Sequence, residues 1–231
     1  MEYLEFERIL STKRIQRYKD AANGDTRKAM ALYRYNLRLS QEMFTIVSCF
    51  EVALRNAIDS LLVPSLGEDW LKDSVQDNGI FSNGRMNETR KIIEKAYNRL
   101  NRQGNYSHSK LIAEMEFGVW KYMYSSLQYR ATGQCLLRAF PNKPRSSAAV
   151  QYNNTYIFNE LDKVNSLRNR IAHHEPICFR LHEAEIDTSY IINEYQKIQT
   201  LFSWMGIDSH SMLYGLDHVQ SVCAKINSLK V

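Results

Sequence analysis

The chain has 231 residues, 44% of them hydrophobic and 24% charged, which suits a folded globular protein of one large or two small domains. Its 9 Gly and 4 Pro leave little room for the many tight turns of a β-sandwich, and no run approaches the roughly 20 apolar residues of a membrane span. The formal charge of +5 permits an anionic partner such as RNA without demanding one, and 14 Tyr supply amphipathic rings for interfaces or base stacking.

Helical periodicity dominates the chain. Residues 2–20 predict a first helix, broken near Asn23 and Gly24. Asp25 can cap a second that runs to about Leu62, ahead of Pro64. Its apolar stripe is Met30, Tyr33, Leu37, Phe44, Val47, Leu54, Ile58 and Leu61, in steps that alternate three and four. Ser40 and Glu51 interrupt that stripe. A carboxylate on an apolar face asks for a partner, and Arg55 stands one turn on from Glu51. The pair is either a structural ion pair or the support of a neighbouring site.

Residues 64–86 read as an irregular connection anchored by Trp70. A third helix fits about 87–103, with Ile92, Ile93, Ala96, Tyr97 and Leu100 inward. Its other face carries Arg90, Lys91, Lys95, Arg99 and Arg102, which is either a solvated face or a surface for RNA. Ser107 can cap a fourth helix to about Leu127, and Gly118 inside it suggests a close helix crossing. A short helix near 132–139 and a loop from Pro141 follow, then helices over about 154–174, 181–205 and 209–228. No repeat, low-complexity tract or strand stands out. One all-α domain over residues 1–231 is the expected architecture.

The cysteines, Cys49, Cys135, Cys178 and Cys223, lie far apart, without zinc spacing or a small disulfide framework. They predict reduced thiols in a cytoplasmic protein. The first eight residues lack the apolar core of a signal peptide. The sequence holds no GxSxG, P-loop, GxGxxG or HExxH, so no cofactor and no metal is expected.

The chemistry concentrates in Ser166-Leu167-Arg168-Asn169-Arg170-Ile171-Ala172-His173-His174-Glu175-Pro176. Arginine holds phosphate, and histidine moves protons near neutral pH. RNA carries its own nucleophile, the 2′-OH. Its cleavage needs only a base, an acid and positive charge for the developing phosphorane. Asn169 and His173 are four apart and share a helix face, but Arg168 and His173 are five apart, about 140° around the axis. Either two copies across a symmetric dimer or fraying before Pro176 could bring both to one phosphate. Helix-end electrostatics alone also favours Arg and His at this place.

The motif resembles the Arg-x4-His signature of the HEPN superfamily, written here Arg168-Asn169-Arg170-Ile171-Ala172-His173. The longer string through Pro176 looks like the Abi-like (abortive infection) branch. Phe50 to Asn56, with Glu51 and Arg55, resembles that branch's upstream Glu-x3-Arg element. Trp70-Leu71, the stretch His108 to Trp120, and Phe140-Pro141 resemble its later segments, so the likeness covers roughly residues 30–180. The resemblance implies an all-α HEPN-like bundle, a two-fold homodimer and metal-independent RNA cleavage that leaves a 2′,3′-cyclic phosphate. It implies a role in phage defence or as the toxin of a toxin–antitoxin pair, with an antitoxin or regulatory partner. Arg168 would bind the phosphate, His173 would be the acid/base with His174 as the alternative, and Asn169 would orient His173 or the substrate. Glu51 and Arg55 would support them. The superfamily also holds inactive members, which implies a binding module for RNA, a nucleotide or a partner as the other reading.

Overall fold

The computed structural model describes residues 1–230. The elements are α1 (Tyr3–Leu10), α2 (Thr12–Ala21), α3 (Thr26–Leu66), α4 (Trp70–Asp73), α5 (Asn87–Arg102) and α6 (His108–Glu114), then α7 (Phe117–Tyr122), α8 (Ser126–Ala131), α9 (Asn154–Ala172), α10 (Ser189–Trp204), α11 (Ser209–Met212) and α12 (Val219–Asn227). Short 3₁₀ turns lie at Gly84–Met86 and Leu136–Ala139. Among the described residues there is no strand, only an isolated antiparallel bridge between Phe179 and Ile186. The protein is all-α, as its periodicity predicts.

Several boundaries differ from the sequence reading, each for a local reason. The first predicted helix is two, because Ser11 takes φ 73° and turns the chain. Its hydroxyl then caps α2 by accepting from the Arg14 N–H at 3.4 Å. The long helix does not stop before Pro64 but runs one turn further, to Leu66. The helix passes through Pro64, which gives the preceding turn no N–H, and Gly67 ends it at φ 93°. The predicted fourth helix is three short ones, broken where Met115 and Glu116 become extended. Gly118 therefore sits in the first turn of α7, not at mid-helix. A Cβ there would meet nothing within 4 Å, so no close crossing requires it.

The Cα packing divides the chain into two compact units. The first comprises Met1–Ser48, Ser166–Thr200 and the residues from Asp208 on. Its core includes Ile15, Leu39, Met43, Ile46, Leu167 and Ile198, all at most 2% exposed. An edge-to-face chain of rings, Phe6–Tyr33–Tyr18–Phe179, runs through it at centroid spacings of 5.5, 5.1 and 5.0 Å. Leu37 and Phe44, expected inward, are 46% and 45% exposed, because the buried stripe of α3 runs instead through Leu32, Leu39, Met43 and Ile46. The buried carboxylate of that helix is Glu42, not Glu51. Arg38 Nη2 meets one of its oxygens at 2.8 Å, and the backbone N–H of His218 donates to the other at 3.1 Å. The pairing explains its 4% exposure.

The second unit comprises Cys49–Asn165 and Leu201–Ile207. Phe50, at 0% exposure, stands 5.2 Å from the Phe202 ring and 6.3 Å from Phe117. Trp70 is the anchor its composition suggests. It is 1% exposed and donates its indole N–H to Asp59 Oδ1 at 2.7 Å. His108 Nε2 meets the same oxygen at 2.8 Å, which ties α6 to α3. No helix of the described residues is long and apolar enough to cross a membrane.

Candidate functional site

Asn153 caps α9 by accepting from the Tyr156 N–H at 3.0 Å, and the helix carries the motif to its far end. Leu167 and Ile171 point into the first unit, at 0% and 8% exposure. With those two positions fixed, Arg168 is half-buried and Asn169 is exposed. His173 and His174 are both exposed, in the turn that ends the helix. The side chains of Arg168, Asn169, His173 and His174 make no hydrogen bond or ion pair among the described residues.

The helix does not fray before Pro176. His173 N still donates to Asn169 O at 2.9 Å, so it keeps its helical place. His174 N then donates to Ile171 O at 3.0 Å and Glu175 N to Arg170 O at 2.9 Å. These two bonds form a Schellman closure with His174 as the left-handed residue, at φ 56°. Pro176, two residues on, cannot continue a helix. The alternative in which fraying swings His173 round is thereby corrected. Asn169 and His173 share a face, and Arg168 stays about 140° away from His173.

The doubled histidine now divides into two positions. His173 is the last helically bonded residue, while His174 holds a conformation that suits glycine. His174→Gly should be neutral or stabilising by up to about 1 kcal/mol, since relief of left-handed strain offsets the freer unfolded chain. Urea unfolding measures this. If His173 is the acid/base, the same variant also retains catalysis.

Of the supporting residues, Glu51 is half-buried on α3 in the second unit. Arg55, one turn on, is also half-buried, and its Nε is shielded from water without a hydrogen-bond partner. The basic face of α5 is largely self-paired. Arg90 meets Glu94 at 2.7 Å, Lys91 meets Glu88 at 3.3 Å, and Arg99 meets Glu114. This face borders a groove of about 700 Å³ with Ile92 and Tyr122 in its walls, each 47% exposed. Ile92, expected inward, thus lies on the groove. Burial pushes the Cys178 thiol up to about 12 and Cys223 up to about 11, so neither serves as a nucleophile near neutral pH.

Sequence reasoning missed the residues that hold the motif turn. Arg14 of α2 donates from Nη1 to His174 O at 3.0 Å. Arg170 donates from Nη2 to Pro176 O at 3.0 Å. Buried Asn36 accepts from the Ile177 N–H at 2.9 Å. The spacing of Asn36 on α3 could have flagged it, because it falls among buried apolar positions; nothing local marks Arg14.

Taken together, these features define an all-helical protein with unengaged Arg, Asn and His side chains at one fastened helix end. The family model described as "Abi-like protein" matches residues 3–178, and the chain belongs to that family. No curated protein and no solved structure matches the chain.

Proposed function

We propose that the protein is a metal-independent endoribonuclease of a phage-defence or toxin–antitoxin system. Membership in the Abi-like family supports the abortive-infection setting. The observation that carries the chemistry is the unengaged set Arg168, Asn169 and His173 on a helix end closed by two backbone hydrogen bonds. A half-buried guanidinium without an internal partner is available to a phosphate, and an exposed imidazole to a proton.

In the proposed reaction the RNA 2′-oxygen attacks the adjacent phosphorus while its proton passes to a neutral imidazole. Arg168 stabilises the phosphorane charge. The 5′-oxygen leaves with a proton from an imidazolium, and the product ends are a 2′,3′-cyclic phosphate and a 5′-hydroxyl. One chain offers one His173, and its Arg168 faces another direction. A two-fold homodimer would place His173 of one chain opposite Arg168 of its partner, and that one imidazole, protonated by the 2′-OH, would return the proton to the leaving 5′-oxygen. A cognate antitoxin would act by covering the helix end.

The test is incubation of the purified protein with total RNA in EDTA, followed by end-group analysis. Cleavage to 2′,3′-cyclic phosphate ends is expected. Binding of RNA without cleavage would favour the inactive binding module instead, and loss of activity in EDTA would overturn the metal-free mechanism.

A further inference from the structure

The motif contains a second arginine, Arg170, and the geometry points to a role for it different from that of Arg168: Arg170 is a positioning residue that, with Arg14, holds the His173–His174 turn. This inference rests on the proposed ribonuclease reading for its consequence in catalysis, but not for its structural content.

The contacts of Arg170 are internal: two reach the turn and one reaches a ring on α10. Its Nη2 donates to Pro176 O at 3.0 Å. Its Nε lies 3.4 Å from Glu175 Oε2, an ion pair without hydrogen-bond alignment. Its guanidinium carbon stands 5.0 Å from the centroid of the Tyr190 ring on α10. The side chain is 21% exposed. A phosphate could take Arg170 only by breaking the Pro176 bond and lifting the guanidinium from the ring. Arg168, by contrast, has no such engagements among the described residues.

The turn needs such a clamp. A non-glycine residue in the left-handed region costs about 1–2 kcal/mol. At most Schellman closures glycine carries that conformation without strain. Here His174 carries it, so side chains from elsewhere must hold it. Arg14 of α2 does so through the His174 carbonyl at 3.0 Å. Arg17, one turn along α2, fastens the following segment by donating to Arg180 O at 2.7 Å and Glu183 O at 2.8 Å. The backbone from His174 onward is therefore gripped by three arginines, at His174 O, Pro176 O, Arg180 O and Glu183 O, and none of the three needs to touch RNA. The sequence string contains two arginines of equal appearance; the structure separates a binding one from a bracing one.

The experiment uses full-length protein and the variants Arg170→Gln, Arg170→Lys and Arg14→Gln. Amide hydrogen exchange is read at His174 and Glu175, whose N–H groups close the turn, and at Ile46 as a control for the intact core. Arg170→Gln should speed exchange at the two turn amides about tenfold while Ile46 is unchanged. Arg170→Lys, which keeps a donor for Pro176 O, should restore part of that protection. Arg14→Gln, at an exposed position that leaves the core intact, should shift the same amides in the same direction. In RNA cleavage, Arg170→Gln should lower kcat by up to about a hundredfold with little change in KM, as misplacement of a reacting group does. Unchanged exchange at His174 and Glu175 in both Arg170→Gln and Arg14→Gln would overturn the inference. So would a rise in KM at constant kcat, which would make Arg170 a ligand of RNA. If the wild type cleaves no RNA, the ribonuclease reading fails, and the exchange measurements still decide the positioning role.

Discussion

His173→Ala should lower RNA cleavage by about 10²–10⁴-fold, the usual loss when a positioned general acid or base is removed. That range corresponds to about 3–5 kcal/mol of transition-state stabilisation. Stability should hardly move. The imidazole is exposed and makes no hydrogen bond among the described residues, and surface substitutions of that kind stay within about 0.5 kcal/mol. Arg168→Ala should cost about 10²–10³-fold, as loss of one donor to a developing oxyanion does. It should cost somewhat more stability than His173→Ala, because the half-buried side chain loses the packing of its stem. Rates on a defined RNA, read beside urea unfolding of each variant, separate the chemical effect from the structural one.

Phe50→Ala should destabilise the protein by about 3–5 kcal/mol, the largest effect on folding expected of a single substitution here. Phe50 has no exposed surface, and its ring is held edge-on to Phe202 at 5.2 Å with Phe117 at 6.3 Å. Truncation removes the transfer free energy of the ring and leaves a cavity between two other rings that cannot collapse without moving their helices. A loss of this size is a large share of the roughly 5–15 kcal/mol that a folded domain has in total. Chemical denaturation should show a lower midpoint with an unchanged slope.

What could be read from the sequence was what repeats locally. The steps of three and four along α3, α5 and α9 report helices directly, because one helical face is buried whatever it meets. The breaks were less legible. Ser11 turns the chain at φ 73° without a glycine or proline to announce it, and Met115–Glu116 becomes extended inside a stretch that reads as continuous helix. The phase of α3 was also ambiguous, since Leu37 and Phe44 fit one apolar stripe as well as Leu39 and Met43 fit another. Only tertiary packing decides between them. The same ambiguity makes Glu51 the conspicuous carboxylate of α3 and hides Glu42, whose partner His218 lies 176 residues away.

The candidate site divides in the same manner. Arg168, Asn169 and His173 fall within six residues, so their relation is fixed by helix geometry and is visible in the string itself. The closure of the turn depends on a donor 160 residues upstream, and no local pattern reports it. That closure matters for the account, because it keeps His173 in its helical place and Arg168 on another side of the axis. The two-chain site proposed above is the reading that this constraint favours.

Mixed dimers test this central claim most directly. Arg168→Ala and His173→Ala chains are co-expressed with different tags, and RNA cleavage by the mixture is compared with each variant alone. If each site takes Arg168 from one chain and His173 from its partner, every mixed dimer regains one intact site. Random pairing then predicts about a quarter of wild-type activity from two variants that are each inactive. A mixture as inactive as its components would contradict the shared site, and variants as active as the wild type would contradict the roles of both residues.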